Sequence, residues 1–453
     1  MSHRSNRTVA VTTLGCKVNQ ADSDQWVRQF SDRGYEIVDF DSVADAYVVN
    51  TCTVTHIADR KSRQLLRQAR RQNPSGVIVA TGCYASVATD EVARMVEVDL
   101  VIGDQDKPRL VDLVHEALEG EDEQPLEAMA GALRVFGPRH RAFVKIADGC
   151  DKFCAFCIVP YARGRARSAD ADTVVGRVRS LVEAGFREVV LTAVHMGTYG
   201  LDLVPATTLK ALVQRVLGET SVERLRLSSI EPEDFDLSIL DLWSDSRLCR
   251  HFHLALDSGS DETLRRMRRR YTAAQYQDLV RRIRAAVPDA AITTDVMVGF
   301  PGETEAEFDA SCQFVSEQQF AGIHVFPYSS RRRTTASKLP NHVSPEVKRQ
   351  RTDVMLRIAS HSAAAFRQRF LGRNVLVLFE GTTRAADGSL RWEGLTDNYV
   401  RVRVNSPLNL TNQIVLTRVH DLQDGMLVGD LVGTVSDDAP SLRSLLSLNS
   451  ANR

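Results

Sequence analysis

The stretch "GCDKFCAFC" puts Cys150, Cys154 and Cys157 into eight positions, in a chain of 453 residues with only 8 cysteines. Thiols at this density read as metal ligands or catalysts before they read as disulfides. Two duller readings compete. Spacing of i, i+4, i+7 is also one helix face, and free cysteine packs like a small apolar residue. Gly149, Asp151 and Pro160, however, are loop chemistry. A core stripe gains nothing from cysteine over leucine or valine. Structural zinc wants four ligands, and no fourth cysteine stands nearby. A [4Fe–4S] cluster on three thiolates keeps one iron open, and that vacancy is useful chemistry.

A second trio is dispersed. Cys16 follows "TTLG", Cys52 follows "VVNT" and Cys83 follows "VATG". Each stands just past a strand-like run and ahead of a helical pattern. In a parallel sheet such strand ends share one edge, where open α/β folds bind ligands. The three would therefore meet in space as a second three-thiolate site. A helix N-terminus beside each would favour thiolate over thiol. Cys249 and Cys312 have no such placement and read as incidental.

The elements that must position these residues fall into three expected domains. Over residues 7–122 the runs "TVAVTT", "AYVVN", "VIVAT" and "DLVIG" alternate with helical periods, which predicts a parallel α/β sheet. A linker is expected over 120–137, where acids, Pro and Gly mix. Over 136–370, "AFVKIA", "EVVLTAV", "RLRLSS", "HFHLAL", "AITTDVMV" and "GIHVF" are separated by helical patterns. Six such units predict a partial (β/α)6 barrel, with His195, Glu231, Asp257 and Asp295 at or beyond strand ends on its catalytic edge. Over 372–437 short strands with Gly, Asp-Gly and Asn turns predict a small β-barrel. There Arg391, Arg401, Arg403 and Arg418 would share a basic face with Trp392 and Tyr399, suited to nucleic acid. The tail from Asp437 reads as flexible.

Composition is that of an ordinary water-soluble chain: 43% hydrophobic, 25% charged, net charge −1. No apolar leader and no 18-residue apolar run is expected, so a cytoplasmic protein with no membrane span is. Basic residues are clustered all the same. "RKSRQLLRQARR" from Arg60 carries six bases, "RRMRRR" from Arg265 carries five, and Arg331, Arg332 and Arg333 are consecutive. With "YARGRAR" these runs point to a polyanion partner.

"GCDKFCAFCIVPYARGRARS" resembles the cluster loop of radical S-adenosylmethionine (SAM) enzymes. With "TLGCKVNQADSD", "VVNTCTVT", "ATGCYA", "LRLSSIEPEDF", "DVMVGFPGETEAEF" and "HVFPYSSRR" it resembles the radical SAM methylthiotransferase family over nearly the whole chain. "LGCKVNQ" and "SSIEP" are most similar to the members acting on N6-threonylcarbamoyladenosine in tRNA. Other members act on isopentenyladenosine or on a ribosomal-protein aspartate, and an RNA-binding protein with structural clusters is the reading from another class. The resemblance implies two [4Fe–4S] clusters, one per cysteine trio, and a C-terminal RNA-binding TRAM barrel. It implies SAM contacts by Phe156, His195, Glu231, Asp257 and Asp295, and tRNA contacts by Arg331, Arg332, Arg333, Arg391, Arg401 and Arg403. The arginines at 331–333 would also meet the threonyl carboxylate of the modified base. An electron donor such as flavodoxin or ferredoxin, and a sulfur donor, are implied partners. The chain departs from the family at Ala193, Ala255, Asp257, Arg333 and Thr335, where Gly, Pro, Gln, Gly and Pro are usual.

Overall fold

The β-branched runs of the first hundred residues form strands that pair side by side. The computed structural model describes residues 7–119, 140–384 and 389–432, so the expected linker and tail fall outside the described residues. β1 (Thr8–Thr13), β3 (Ala46–Thr51), β4 (Val77–Thr81) and β5 (Leu100–Ile102) match the four runs, and a short β2 (Glu36–Ile37) lies at the edge. All pair in parallel in the order β2-β1-β3-β4-β5. Every residue of β3 is buried, as befits a central parallel strand covered on both faces. Three helices leave the cysteine-bearing edge: α1 (Lys17–Asp32), α2 (His56–Gln72) and α3 (Gly82–Val87). α1 turns Trp26 and Phe30 into the core. α2 buries only Ser62, Leu66 and Ala69, leaving its basic run on the outer side.

The central domain holds β6 (Arg141–Asp148), β7 (Arg167–Ser168), β8 (Glu188–Ala193), β9 (Arg224–Leu227), β10 (Ser229–Ile230), β11 (His251–Leu254), β12 (Ala291–Val298) and β13 (Gly322–Pro327). They form two sheets, β7-β6-β8-β9 and β10-β11-β12-β13. "RLRLSS" is therefore not one strand: it breaks at Ser228 into β9 and β10, one in each sheet. Consecutive βα strands run parallel, and β7 alone is antiparallel, folded back on β6. The arc stays open between β6 and β13, which makes it the expected partial barrel. Val189, Leu191, Phe252, Leu254, Ile292 and Val296 pack outward in the helix-covered core. By alternation Glu188, Arg224, Arg226, His251, His253 and Asp295 face the lumen.

The C-terminal strands β14 (Asn374–Arg384), β15 (Leu390–Thr396), β16 (Arg401–Asn405), β17 (Ile414–Gln423) and β18 (Met426–Leu431) close into a five-stranded barrel. Its core includes Val377, Phe379, Trp392, Val402 and Val419, sealed by Phe366 and Phe370 from the connecting helix region. The expected Trp392–Tyr399 platform on a basic face does not form. Trp392 points inward, its indole N–H donating to the Ser406 carbonyl at 3.2 Å, because it alternates with Arg391 and Glu393. Tyr399 is turned into the lumen of the central domain, where it stacks on His251 with ring centroids 4.7 Å apart. No helix among the described residues is long and apolar enough to cross a membrane.

Candidate functional site

The loop carrying Cys150, Cys154 and Cys157 starts where β6 ends. Gly149 stands at φ +72°, and a Cβ there would lie 1.9 Å from the Arg165 carbonyl oxygen. Only glycine lets the chain turn that tightly into the cluster loop. The Cys157 N–H donates to the Cys154 carbonyl at 3.0 Å, closing the tight turn between these two thiols. Burial pushes the Cys154 and Cys157 thiols up to about 12, and each neighbouring thiol adds to the shift. Three thiols brought together with no fourth cysteine beside them suit a cluster with one open iron.

Arg269 organises the wall facing this loop. Its guanidinium pairs with Asp257, bonds Glu231 Oε2 at 2.7 Å, reaches Cys154 Sγ at 3.6 Å and lies 5.7 Å from the centre of the Phe156 ring. The structure thus joins Phe156, Glu231 and Asp257 through one member of the basic run "RRMRRR". Burial pushes the Asp257 carboxyl up to about 6, with Glu231 adding and Arg269 opposing. Asp257 also stands at φ +58°. Arg333, where glycine is usual in the family, stands at φ +72°. Both departures occupy backbone conformations that L side chains rarely adopt.

His195 sits just past β8 and is buried. Its Nε2 bonds Asp234 Oδ2 at 2.9 Å, and Lys152 Nζ bonds the same oxygen at 2.6 Å. Burial works against charge on His195, yet bonds to Asp234 and to the Cys150 thiol raise it to about 9. Asp234 and the adjacent Cys150 thiol thus both favour the protonated imidazole. Asp295 is not at a strand end. It is the fifth of eight residues in β12, because that strand pairs with β13 as far as Val298. Its carboxylate faces the lumen and bonds His324 Nδ1 at 3.0 Å, with His253 Nε2 at 3.3 Å.

Cys16, Cys52 and Cys83 do converge: the Cys52 thiol feels both others, and Cys83 feels Cys16. Gly15 stands at φ +103°, and a Cβ there would lie 2.9 Å from Cys52 Sγ, so glycine keeps that thiol's space clear. The helix-dipole expectation is corrected. Cys16 is the N-cap of α1 and Cys83 the second residue of α3, but α2 starts at His56 behind its cap Thr55. Burial dominates: it pushes Cys52 up to about 12, and it also raises Cys83 in spite of Arg163. A terminal dipole is worth about 1 kcal/mol, less than desolvating a thiolate.

Arg163 ties the dispersed trio to the base of the Cys150 loop. It lies in the helix Val159–Arg163, six residues past Cys157, and is fully buried. Its Nε donates to Cys83 Sγ at 3.3 Å, and Nη1 donates to both Asp148 oxygens at 2.7 and 2.9 Å. Nη2 bonds Asn19. The Asp148 carboxyl is held well below the carboxylate range: burial opposes this, but Arg163 and Lys145 prevail. "YARGRAR" thus contributes a buried clamp as well as surface charge.

The basic runs divide in the same way. Arg331 is buried, its Nη1 2.6 Å from Asp59 Oδ2 and 3.2 Å from the Thr53 carbonyl oxygen, so it ties the central domain to the Cys52 loop rather than facing solvent. Arg332 and Arg333 are exposed. With Arg60, Arg63 and Arg94 they line a cavity of about 1270 Å³ that also touches Thr53 and Ile158, neighbours of Cys52 and Cys157. On the small barrel Arg401 is exposed, Arg391 is half-buried, and Arg403 pairs with Glu393 at 3.1 Å.

A cysteine trio in the loop after the first strand of an open βα barrel defines a radical SAM protein. The radical SAM superfamily matches residues 144–315, and a family described as uncharacterized protein family UPF0004 matches 8–103. Threonylcarbamoyladenosine tRNA methylthiotransferase MtaB of Bacillus subtilis is 36% identical over 95% of this chain and 98% of its own. Its namesake in Aquifex aeolicus is 38% identical over 87% and 96%. tRNA-2-methylthio-N(6)-dimethylallyladenosine synthase of Maricaulis maris is 33% identical over 94% and 97%. The radical SAM methyltransferase TsrM of Kitasatospora setae, solved with cobalamin and a [4Fe–4S] cluster, shares the fold: TM-score 0.52, 18% identity, over 71% of this chain and 72% of that one. Within the radical SAM class, the chain belongs to the methylthiotransferase family.

Proposed function

We propose that the protein adds a methylthio group to C2 of N6-threonylcarbamoyladenosine at position 37 of tRNA. One observation carries this reading. Two separate three-thiol sites, each without a fourth cysteine, lie on either side of the buried Arg163, which bonds Cys83 in one and, at the base of the Cys150 loop, Asp148. A carrier or a purely structural cluster normally takes four protein thiolates. Cys150, Cys154 and Cys157 would hold a cluster that with SAM would supply a 5′-deoxyadenosyl radical, and Cys16, Cys52 and Cys83 would hold a cluster whose open iron would carry the donor-derived sulfur that is methylated and inserted.

The chain's own residues prepare that chemistry. Arg269, fixed by Asp257 and Glu231, lies between Phe156 and Cys154, where its guanidinium would face a cofactor carboxylate. The Lys152–Asp234–His195 chain favours a protonated imidazole against Cys150, which would offset thiolate charge. Arg332, Arg333 and Arg60 make the cavity mouth basic, which suits an RNA backbone. Loop bases of RNA are already unstacked, so presenting one to the lumen costs little. A one-electron donor such as flavodoxin or ferredoxin, a separate sulfur donor and a cytoplasmic setting complete the proposal.

Nucleoside mass spectrometry of tRNA from cells with and without the gene tests it. Loss of methylthio-threonylcarbamoyladenosine alone is expected. Loss of methylthio-isopentenyladenosine instead would reassign the substrate.

A further inference from the structure

Among the described residues facing the lumen, Lys17 is a cation with no ion pair. It is the first residue of α1, directly after the cluster ligand Cys16. Its side chain crosses from the N-terminal domain toward the lumen of the central domain, where Nζ lies 5.9 Å from the centre of the Tyr399 ring. The other cations there are paired. Arg226 and Arg224 share Glu188, at 2.7 and 3.8 Å. Arg141 pairs with Glu380, and Lys145 with Asp22 and with Asp148. Among the described residues no carboxylate lies within ion-pair distance of Lys17. The acid whose charge it feels, Glu188, is committed to Arg226.

An ammonium half withdrawn from water and left unpaired forfeits solvation without recovering it. A ligand anion would restore that loss. The surroundings favour a planar carboxylate on a polar arm over an apolar one. Lys17 is close enough for His251 and His324 both to feel its charge, and His251 Nδ1 is a buried nitrogen with no hydrogen-bond partner. Lys17, the imidazoles of His251 and His324 and the Tyr399 ring thus put polar groups together on this side of the lumen, partners suited to a carboxylate. In adenine, C2 and C6, the carbon that bears N6, flank the same ring nitrogen. A base presenting C2 to the site held by Cys16 therefore carries its N6 arm past the residue next to that cysteine.

We propose that Lys17 binds the carboxylate of the threonylcarbamoyl arm and so selects the substrate adenosine. The inference rests on the substrate reading above and adds the residue that makes the choice. Arg331, whose sequence position suggested that role, is already paired with Asp59.

Fluorescence anisotropy with anticodon stem-loops tests it on the anaerobically reconstituted full chain. Three loops differ only at the base next to the anticodon: threonylcarbamoyladenosine, its neutral carboxamide analogue, and isopentenyladenosine. Wild-type protein should prefer the carboxylate loop to the carboxamide by about tenfold, the worth of one charge-assisted hydrogen bond. Lys17→Met should erase that preference by weakening only the carboxylate loop, at unchanged iron content, and Lys17→Arg should restore most of it. Lys17→Met that keeps the preference, or that weakens all three loops equally, would overturn the inference. Wild-type preference for the isopentenyl loop would overturn the substrate reading itself, and that outcome is visible before any variant is made.

Discussion

Asp257 shows what a single substitution asks of its neighbours. A carboxylate where the family usually has an amide brings a charge into a wall that is 3% exposed at that residue. Arg269 answers it, and Glu231 holds the other side of the guanidinium. The Asp257 carboxyl nevertheless ends at about 6, above its ordinary 3.8, because burial outweighs the arginine. The folded protein therefore binds this proton more tightly than the unfolded chain does between those two values. Stability falls as pH rises across that window, by about 3 kcal/mol in all at 1.36 kcal/mol per unit. Asp257→Asn should flatten this part of the stability curve, read as the difference in urea midpoints between pH 4 and 6.5; parallel curves for the two proteins would refute it. Arg163 makes a second prediction at this scale. Removing one partner of a buried pair costs about 3–5 kcal/mol, so Arg163→Ala should lower the unfolding free energy by that order. It should also loosen iron at the site of Cys16, Cys52 and Cys83, since it removes the donor to Cys83 Sγ. Neither arginine's role was legible in sequence. Composition shows that a run is basic, but not which member turns inward, and Arg163 and Arg269 each sit among exposed arginines.

The elements were far more legible than the side chains that they carry. β-branched runs bounded by turn residues gave all four main strands of the first sheet and the strands of the partial barrel, because parallel strands buried on both faces must be apolar throughout. One reading failed for a definable reason. "RLRLSS" looked continuous because its break falls at a single Ser228 with no Gly or Pro beside it, too short a signal to mark a turn. The second half of β17, "RVHDLQ", carries little strand signal because it mixes charges into the alternation at the exposed end of the barrel. The cysteine positions were legible because they follow strand ends, yet the glycines before them do as much to build the site. At Gly15 a methyl group would meet Cys52 Sγ at 2.9 Å, and the backbone stands at φ +103°. Gly15→Ala should therefore damage the dispersed trio alone. Reconstituted protein should fall from about eight irons per chain to about four, one four-iron cluster. It should also still cleave SAM to 5′-deoxyadenosine. A variant retaining eight irons would show that the elbow tolerates the methyl group.

At the scale of the molecule, the C-terminal barrel is part of the central domain's structure and not a tethered RNA hook. Arg224 donates to the carbonyls of Leu395 and Leu376 at 3.0 and 2.8 Å, and Arg226 donates to that of Asp397 at 2.8 Å. Arg250 pairs with the Asp397 carboxylate at 2.6 Å, and Tyr399 stacks on His251 in the lumen. Each buried donor that loses its acceptor costs about 1–3 kcal/mol, and Arg224 and Arg226 are both fully buried. Ending the chain before Asn374 should therefore lower the thermal midpoint of what remains and promote aggregation, beyond any loss of RNA affinity. Charge reversal on the surface separates the two effects. Arg332 and Arg401 are exposed, and substitutions at such positions usually move stability by no more than about 0.5 kcal/mol. Arg332→Glu with Arg401→Glu should leave the melting midpoint nearly unchanged while weakening tRNA binding. The slope of log Kd against log salt should fall by about one for each lost phosphate contact. If the truncated chain melts like the full protein, the contacts through Arg224, Arg226 and Arg250 are dispensable and the barrel is a module after all. An unaltered salt slope in the double variant would instead place the RNA on another face.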